Sequence, residues 1–240
     1  MIKIFFILLC TVFILSCNTS ENNKNTIINV NNKLWTQECI SNTFRLYGNS
    51  VSISLSEHYY KNKRCEFASD DKNLLNKFFD IQFTVTPQTV NKLDQQWHSI
   101  FQIHSFPDLS LGERWRCPIL SVEVYKGRLR IFSRGDDKQV SLLKKGTCAS
   151  SQNSISSRLI LDNYGLEAGE KYKLNINGFF SYTKKGFLQV KINDVLQNEV
   201  VGPNAFNDRR GPYLKFGIYK PTSWSYSKKY TYVYENIVVK

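Results

Sequence analysis

Short segments rich in Val, Ile, Phe and Tyr alternate with turns of Gly, Asn and Asp along most of this chain, and within each segment the apolar residues recur at every second position. A period of two is that of a β-strand with one buried face, whereas an amphipathic helix has a period of about 3.6. Ten such segments lie between Val51 and Val239, and only Asp71 to Lys77 has a brief helical pattern. The alternation therefore predicts an all-β protein.

The number and spacing of these segments also predict how the strands are organised. Ten strands in 240 residues, without a second linker, are typical of one sandwich of two antiparallel sheets or a jelly roll, which we place at residues 34–240. Lys126-Gly127 and Asn193-Asp194 have the composition of tight hairpin turns. With 42% hydrophobic residues and six prolines, the chain can bury one core and is neither disordered nor collagen-like.

The N-terminal segment has the layout of a secretory signal. A lysine precedes an apolar run, Ile4 to Leu15, which ends in a serine and Cys17. The tetrapeptide Ile-Leu-Ser-Cys resembles a bacterial lipobox, which implies removal of residues 1–16, a lipid on Cys17 and a polar tether over residues 17–33. An uncleaved anchor helix is the alternative, but the run is shorter than the roughly 20 residues that a span needs. We expect a protein that is exported and either held to the bacterial cell envelope by its lipid anchor alone, at the outer membrane or facing the periplasm, or secreted.

The charge of the chain favours a polyanionic partner. Lys and Arg number 32 against 20 Asp and Glu, a formal charge of +12, which becomes +11 once Lys3 is removed with the signal. The basic residues are spread along the sequence, so the positive potential belongs to the folded surface and not to a tail. Nucleic acid is disfavoured because no nucleic-acid-binding motif is present and export is predicted. We expect a monomer.

The cysteines agree with export. One leaves with the signal and Cys17 would carry the lipid, which leaves four in an oxidising compartment: Cys39, Cys65, Cys117 and Cys148. We predict two disulfides. Of the three pairings that four cysteines allow, we favour Cys39 with Cys65 and Cys117 with Cys148, because this pairing closes the shorter loops. A zinc site is the alternative, but no two of these cysteines have the short spacing that is usual in structural zinc sites.

The segment Trp97–His104 places polar side chains on one side of a predicted strand. Alternation assigns Trp97, Phe101 and Ile103 to the core, and His98, Gln102 and His104 to the opposite face. An amide and an imidazole two residues apart then point the same way, which is how a sheet presents neighbouring reactive groups. The alternative is an ordinary solvated sheet face.

Two further segments carry reactive or charged side chains on one face of a predicted strand. In the segment 213–219 three apolar residues face inward, and the outward residues are Tyr213, Lys215, Gly217 and Tyr219. Gly217 leaves a gap where a ligand can approach the backbone, or else it marks a bulge. In Arg64-Cys65-Glu66-Phe67, alternation puts Arg64 beside Glu66. The guanidinium can then bind a substrate carboxylate in a fork, or form a surface ion pair with Glu66 or another neighbour.

Together these segments resemble, in order and approximate spacing, the motifs of jelly-roll polysaccharide lyases. Gln102-Ile103-His104 and Tyr213-Leu214-Lys215-Phe216-Gly217-Ile218-Tyr219, with Arg64-Cys65-Glu66-Phe67 upstream, are similar to the Gln-(Ile/Val)-His, Tyr-Phe-Lys-Ala-Gly-x-Tyr and Arg-(Ser/Thr)-Glu motifs of alginate lyases, and to the related glucuronan and heparin lyases. The resemblance runs from about residue 35 to the C-terminus. It implies a concanavalin-like jelly roll with a concave groove for an anionic polysaccharide that contains uronic acid.

The sequence departs from these motifs at a few positions. Cys65 replaces the small hydroxyl residue, no second arginine follows Glu66 at the usual place, and Leu214 and Phe216 replace Phe and Ala on the predicted core face. The changes around Cys65 weaken the case for alginate as the substrate more than the case for lyase chemistry. The segment 202–219 is closer to the glucuronan and heparin lyase branch.

The resemblance also implies a role for each matching residue, because lyases of this kind cleave a uronic acid chain by β-elimination. His104 is the candidate base, since an imidazole is largely neutral near neutral pH. Tyr219 is the candidate acid that protonates the leaving O4 oxygen, with the cation of Lys215 beside it. Gln102 and Arg64 would neutralise the uronate carboxylate. This scheme requires no metal and no cofactor, and a structural Ca²⁺ ion is compatible with the resemblance.

Other residues are candidates for binding the polymer. They are Tyr213, Lys215, Glu66, His98, Lys191, Gln189 and Arg210, and Trp224 and Tyr226 are placed in a loop where they would stack on sugar rings. The main rival function is a non-catalytic carbohydrate-binding surface lipoprotein on the same fold, which needs aromatic and cationic residues but no His and Tyr pair. A glycoside hydrolase would need two carboxylates across a groove, and the acidic residues Glu66, Glu113 and Glu123 form no such pair in the sequence pattern.

Overall fold

The computed structural model describes residues 27–39, 43–56, 64–69, 74–220 and 229–240. Its strands are β1 (Ile27–Val30), β2 (Lys33–Glu38), β3 (Phe44–Tyr47), β4 (Ser50–Ser56), β5 (Arg64–Ser69), β6 (Phe78–Pro87), β7 (His98–His104), β8 (Leu120–Tyr125), β9 (Arg128–Gly135), β10 (Ser156–Gly165), β11 (Tyr172–Phe179), β12 (Phe187–Ile192), β13 (Val195–Val201), β14 (Tyr213–Tyr219) and β15 (Lys229–Val239). One 3-10 turn, Leu109–Leu111, follows β7. The prediction of an all-β protein is confirmed.

The fifteen strands form two antiparallel sheets, which confirms the predicted jelly-roll sandwich. The first sheet has the order β1-β2-β5-β14-β7-β8-β9-β10, and the second has the order β13-β12-β11-β6-β15-β4-β3. All three segments that carry the lyase motifs, β5, β14 and β7, are neighbours in the middle of the first sheet. Residues far apart in sequence are thereby brought onto one surface.

The core between the sheets is built from the alternate apolar residues of the strands. On β4, for example, Val51, Ile53 and Leu55 are completely buried, whereas the serines between them are partly exposed. The stacked rings of Phe83 on β6 and Phe101 on β7, with centroids 4.8 Å apart, join the two sheets. Burial of apolar area is the main stabilising contribution in such a core, roughly 25 cal/mol per Å².

Both predicted hairpin turns are present. The pairs Lys126-Gly127 and Asn193-Asp194 have positive φ at both residues, as a two-residue turn between twisted strands requires. They join β8 to β9 and β12 to β13. The brief helix predicted at 71–77 is absent from its described part, residues 74–77, where Leu75 forms a β-bridge with Phe180 instead. In the described part of the chain no helix is long and apolar enough to cross a membrane.

The folded domain begins earlier than the sequence indicates. The tether was predicted to reach residue 33, but Ile27–Val30 forms strand β1, which pairs with β2, and Val30 is buried in the core. Only four residues alternate here, and asparagines surround them, so the pattern is too short to stand out from a polar linker. Residues 1–26, including the predicted signal and Cys17, lie outside the described residues.

Both predicted disulfides are confirmed. Cys39 is bonded to Cys65 and Cys117 is bonded to Cys148. The first bond fastens the end of β2 to β5, and the second joins the segment before β8 to the loop between β9 and β10.

Candidate active site

A cleft of about 600 Å³ lies on the outer face of the first sheet. Its floor is made by β5, β14 and β7, where Lys215 pairs with Gln102, Tyr213 with His104, and Gly217 with Glu66. Seven of the predicted site residues line this cleft: Arg64, Glu66, Gln102, His104, Tyr213, Lys215 and Tyr219. Strand alternation turns them outward, because the residues between them, such as Phe67, Phe101 and Phe216, are buried in the core.

Glu66 and Gln102 form a buried pair at the floor of the cleft. Gln102 Nε2 donates a hydrogen bond to Glu66 Oε1, and Arg64 Nη1 lies 3.8 Å from Glu66 Oε2. Both side chains are almost fully buried, and burial raises the pKa of the Glu66 carboxyl. The pair fixes the plane of the Gln102 amide, because one N–H is held by the carboxyl group behind it.

Glu38 is a member of the site that the sequence analysis missed. It lies at the end of β2, opposite Glu66 on β5. Lys215 Nζ lies 2.8 Å from Glu38 Oε1 and 2.6 Å from Oε2, and Arg64 Nη1 donates to Oε2 at 3.0 Å. Despite the cost of burial, these two cations lower the pKa of the Glu38 carboxyl, so it is ionised at neutral pH. No motif marked this residue, since β2 was not among the predicted strands.

His104 is a neutral imidazole whose tautomer is set by the backbone. Its Nδ1 lies 3.0 Å from the Ser105 carbonyl oxygen. A carbonyl oxygen only accepts, so Nδ1 carries the proton and Nε2 keeps its lone pair. Burial, assisted by the nearby cations Lys215, Arg64 and Arg116, lowers the pKa of His104 to about 4. The ring packs against Trp115 and Tyr213, with centroids 5.6 and 5.9 Å away.

Arg64 is a cation beside the Tyr219 ring. The Arg64 guanidinium carbon lies 4.9 Å from the centroid of the Tyr219 ring, whereas Lys215 Nζ is held by Glu38. A guanidinium over the ring can stabilise negative charge that develops on the phenol oxygen during proton transfer.

Gly217 is required by the neighbouring strand. Its φ is +128°, and a Cβ atom there would lie 2.2 Å from the Cys65 carbonyl oxygen. It also stands in a bulge of the β14–β7 pairing, between Phe216 and Tyr219. Of the two interpretations of this glycine, the structure favours the bulge.

The opposite wall of the cleft is made by residues that the sequence analysis did not select. Arg116 is buried between two carboxylates, with Glu113 and Asp208 each 2.6 Å away. Arg134 lies 3.5 Å from Glu123, which also accepts from Arg130. The disulfide Cys117–Cys148 and Thr147 complete this wall. Neither arginine is within a motif, and Arg116 precedes its strand, so no alternation pointed to it.

The prediction that His98 binds substrate is wrong. It is buried on the core side of β7, where Nε2 lies 2.7 Å from the Tyr232 hydroxyl oxygen and the ring packs on Tyr230. A bulge in the β7–β8 pairing, between Ser99 and Phe101, reverses the alternation before it. For the same reason Trp97, which was predicted to be core, lines the cleft.

Lys191 and Gln189 are also outside the cleft, so their predicted place in the groove is wrong. Their neighbours on β12, Leu188, Val190 and Ile192, point into the core, and β12 belongs to the second sheet. Both polar residues therefore lie on the far side of the sandwich, where Gln189 donates to Glu199 at 2.9 Å. Alternation shows that a strand has a polar face but not which sheet contains the strand.

Arg210 lies near the cleft without lining it. Its guanidinium carbon is 3.7 Å from the centroid of Phe106, whose ring stacks on Tyr213 at 4.3 Å. Trp224 and Tyr226 lie outside the described residues. Among the described residues, no group of three or more His, Cys, Asp or Glu side chains is arranged to hold a metal ion.

Comparisons with known proteins agree with this fold. Residues 18–237 match the family model described as polysaccharide lyase. The fold is similar to that of the endo-β-1,4-glucuronan lyase from the fungus Trichoderma reesei, with a TM-score of 0.64 and 12% identity over 91% of each chain. It is also similar to alginate lyase A1-II′, a member of polysaccharide lyase family 7, with a TM-score of 0.55 and 12% identity over 84% of each chain.

A third similar structure is the alginate lyase PA1167 from Pseudomonas aeruginosa, with a TM-score of 0.53 and 14% identity over 84% of this chain and 87% of that one. Alginate lyase A1-II′ is also known in one complex with a substrate and in another with a product. No curated protein sequence matches the chain. Because the family model spans nearly the whole chain, including all three motif strands, the protein is a polysaccharide lyase and belongs to that family.

Proposed function

We propose that this lyase cleaves an anionic polysaccharide containing uronic acid by β-elimination at the cleft of the first sheet. One observation carries the proposal: His104, whose Nε2 keeps its lone pair, lines the same cleft as Tyr219 and Gln102. A protein that only binds sugars has no need for a base and an acid around one amide.

In the proposed reaction the base removes the proton from C5 of the uronate. The electron pair moves into a C4–C5 double bond, the C4–O4 bond breaks, and the acid protonates O4 of the departing sugar. His104 Nε2 is the candidate base, and the Tyr219 hydroxyl is the candidate acid. Where the C5 proton and O4 lie on the same side of the ring, Tyr219 can take the one proton and supply the other.

Gln102 and Arg64 are the proposed partners of the substrate carboxylate. Removing the C5 proton places negative charge on the carboxylate, so donors already oriented toward it lower the barrier without having to reorganise. Gln102 is held by Glu66, and Arg64 is held by Glu38 across from Tyr219. Both donors are therefore fixed before the substrate arrives.

The proposal extends to location and assembly. The signal layout at residues 1–16 and Cys17 supports export and anchoring to the cell envelope by a lipid, where extracellular polymers are available. We also propose that the protein acts as a monomer. The positive charge of the whole chain supports capture of a polyanion by long-range attraction.

The test is the appearance of the ultraviolet absorbance of the new C4–C5 double bond with a panel of glucuronan, alginate, heparin, heparan sulfate and chondroitin. We expect one class of polymer to react, and we expect His104→Ala and Tyr219→Phe each to lower kcat by about 100- to 10,000-fold. Lys191→Ala, on the far side of the sandwich, is the control and should react as the wild type does. Binding of a polymer without any absorbance change would contradict the proposal.

A further inference from the structure

Within the described ranges, the cations that line the cleft are all paired with carboxylates. Four cations line the cleft among the described residues, and each has a carboxylate partner within 4 Å. Arg64 and Lys215 are held by Glu38, Arg116 by Glu113 and Asp208, and Arg134 by Glu123. Ala68, which shares the face of Arg64 and Glu66 and pairs with Lys215, contributes no further charge.

Glu38 sets the charge next to Tyr219. Its two oxygens take the Lys215 ammonium and one Arg64 nitrogen at 2.6–3.0 Å, so one negative charge is shared by two positive ones. Glu66, the other nearby carboxyl, is buried and has a raised pKa, which favours its neutral form. Glu38 and one substrate carboxylate would then supply two negative charges for the two cations of this corner.

The position of Glu38 is fixed by covalent and strand contacts. It pairs with Glu66 in the β2–β5 ladder, and the next residue, Cys39, is bonded to Cys65 between Arg64 and Glu66. These contacts fix the backbone of Glu38, so its carboxylate is held within reach of both cations.

We propose that Glu38 is a specificity-determining residue that restricts the cleft to polyuronates whose sugar beside Tyr219 carries one carboxylate and no sulfate. This inference rests on the proposed function. A sulfate on that sugar adds a negative charge that faces the Glu38 carboxylate and finds both nearby cations already paired. The free-energy cost of removing that sulfate from water is then not offset by contact with a cation.

The experiment compares Glu38→Gln with the wild type on one unsulfated glucuronan and on the same polymer after chemical sulfation. Glutamine keeps the shape and one acceptor oxygen but removes the negative charge. We expect the wild type to prefer the unsulfated polymer in kcat/KM, and we expect the substitution to lower that preference by about tenfold, the effect of one charge at about 6 Å after screening by salt. Glu199→Gln removes one charge from the opposite face and is the matched control, which should keep the wild-type ratio.

A second measurement keeps the inference separate from the proposed function. The Kd for both polymers is measured in the Tyr219→Phe background, with and without Glu38→Gln, at fixed salt. The same shift in the ratio of the two Kd values supports the inference even where no polymer is cut, whereas absence of turnover with every polymer overturns the proposed function only.

The inference is overturned if Glu38→Gln leaves the ratio between the two polymers unchanged in both kcat/KM and Kd. It is also overturned if the wild type prefers the sulfated polymer. If Glu38→Gln does not fold, Glu38→Asp is used, which withdraws the same charge by one methylene. An intermediate ratio then supports the inference, and a wild-type ratio overturns it.

Discussion

Removal of the disulfide between Cys39 and Cys65 should lower both the stability of the protein and its selectivity. The bond closes a loop with a sequence separation of 26 residues. In the chain-entropy description, this loop restricts the unfolded chain by about 12 cal/mol/K, or about 3.5 kcal/mol at 25 °C. We therefore expect Cys39→Ala with Cys65→Ala to lower the free energy of unfolding by about 3.5 kcal/mol, a large part of the 5–15 kcal/mol typical of a domain.

The second disulfide provides a matched comparison. Cys117 and Cys148 are separated by 31 residues, for which the same expression gives about 3.7 kcal/mol. The two double variants should thus lose nearly equal stability. Only the first bond fastens Glu38 beside Arg64, so only its removal should reduce the preference for unsulfated polymer.

The first assay is urea unfolding of the wild type and the two double alanine variants, with a check that the free energy of unfolding depends on urea concentration with the same slope in all three. The second assay is kcat/KM for the two polymers, under conditions where each variant is folded. A loss below about 1 kcal/mol in either variant would show that other contacts already restrict the loop. Equal changes in selectivity in both variants would refute the reasoning about Glu38.

Three other outcomes follow from the structure. The acid limb of kcat/KM should lie near pH 4, because the pKa of His104 is lowered to about 4; a limb near pH 6.5 would contradict the buried neutral imidazole. Burial lowers the pKa of His98 to about 3. Below about pH 6.5 this histidine therefore binds a proton in the unfolded chain but not in the folded one, so the free energy of unfolding should fall between about pH 6.5 and pH 3. Urea titrations at a series of pH values measure this change. Gly217→Ala should cost roughly 2 kcal/mol or more, because its Cβ would meet the Cys65 carbonyl at positive φ, whereas Gly165→Ala, with open space around it, should be nearly neutral by thermal unfolding; equal costs would refute this.

Strand alternation predicted the cleft as far as regular pairing extends. It turned Gln102 and His104 to one face of β7 and Lys215 and Tyr219 to one face of β14, and the structure places all four in the cleft. It failed for His98, because a bulge lies between this residue and Gln102. A single sequence does not reveal a bulge, since the extra residue has no composition of its own.

Other parts of the site could not be found from alternation for different physical reasons. Glu38 and Arg116 belong to the site through contacts between residues far apart in sequence. Glu38 contacts Lys215, which is 177 residues away, and Arg116 contacts Asp208, which is 92 residues away. Gln189 and Lys191 have the same pattern as cleft residues but belong to the second sheet. Local periodicity determines which side of a strand is buried, but sheet order depends on the whole topology.

The cysteine at position 65 shows how a departure from a motif can add to a site. Cys65 stands between Arg64 and Glu66, where the similar motifs have a small hydroxyl residue, and its side chain points into the core. The exchange therefore leaves the cleft face of β5 unchanged. What it adds is the bond to Cys39, which holds Glu38 against Arg64 and Lys215. The cysteine thus leaves in place the residues proposed for elimination, and under the proposal made for Glu38 its bond acts on selectivity more than on chemistry.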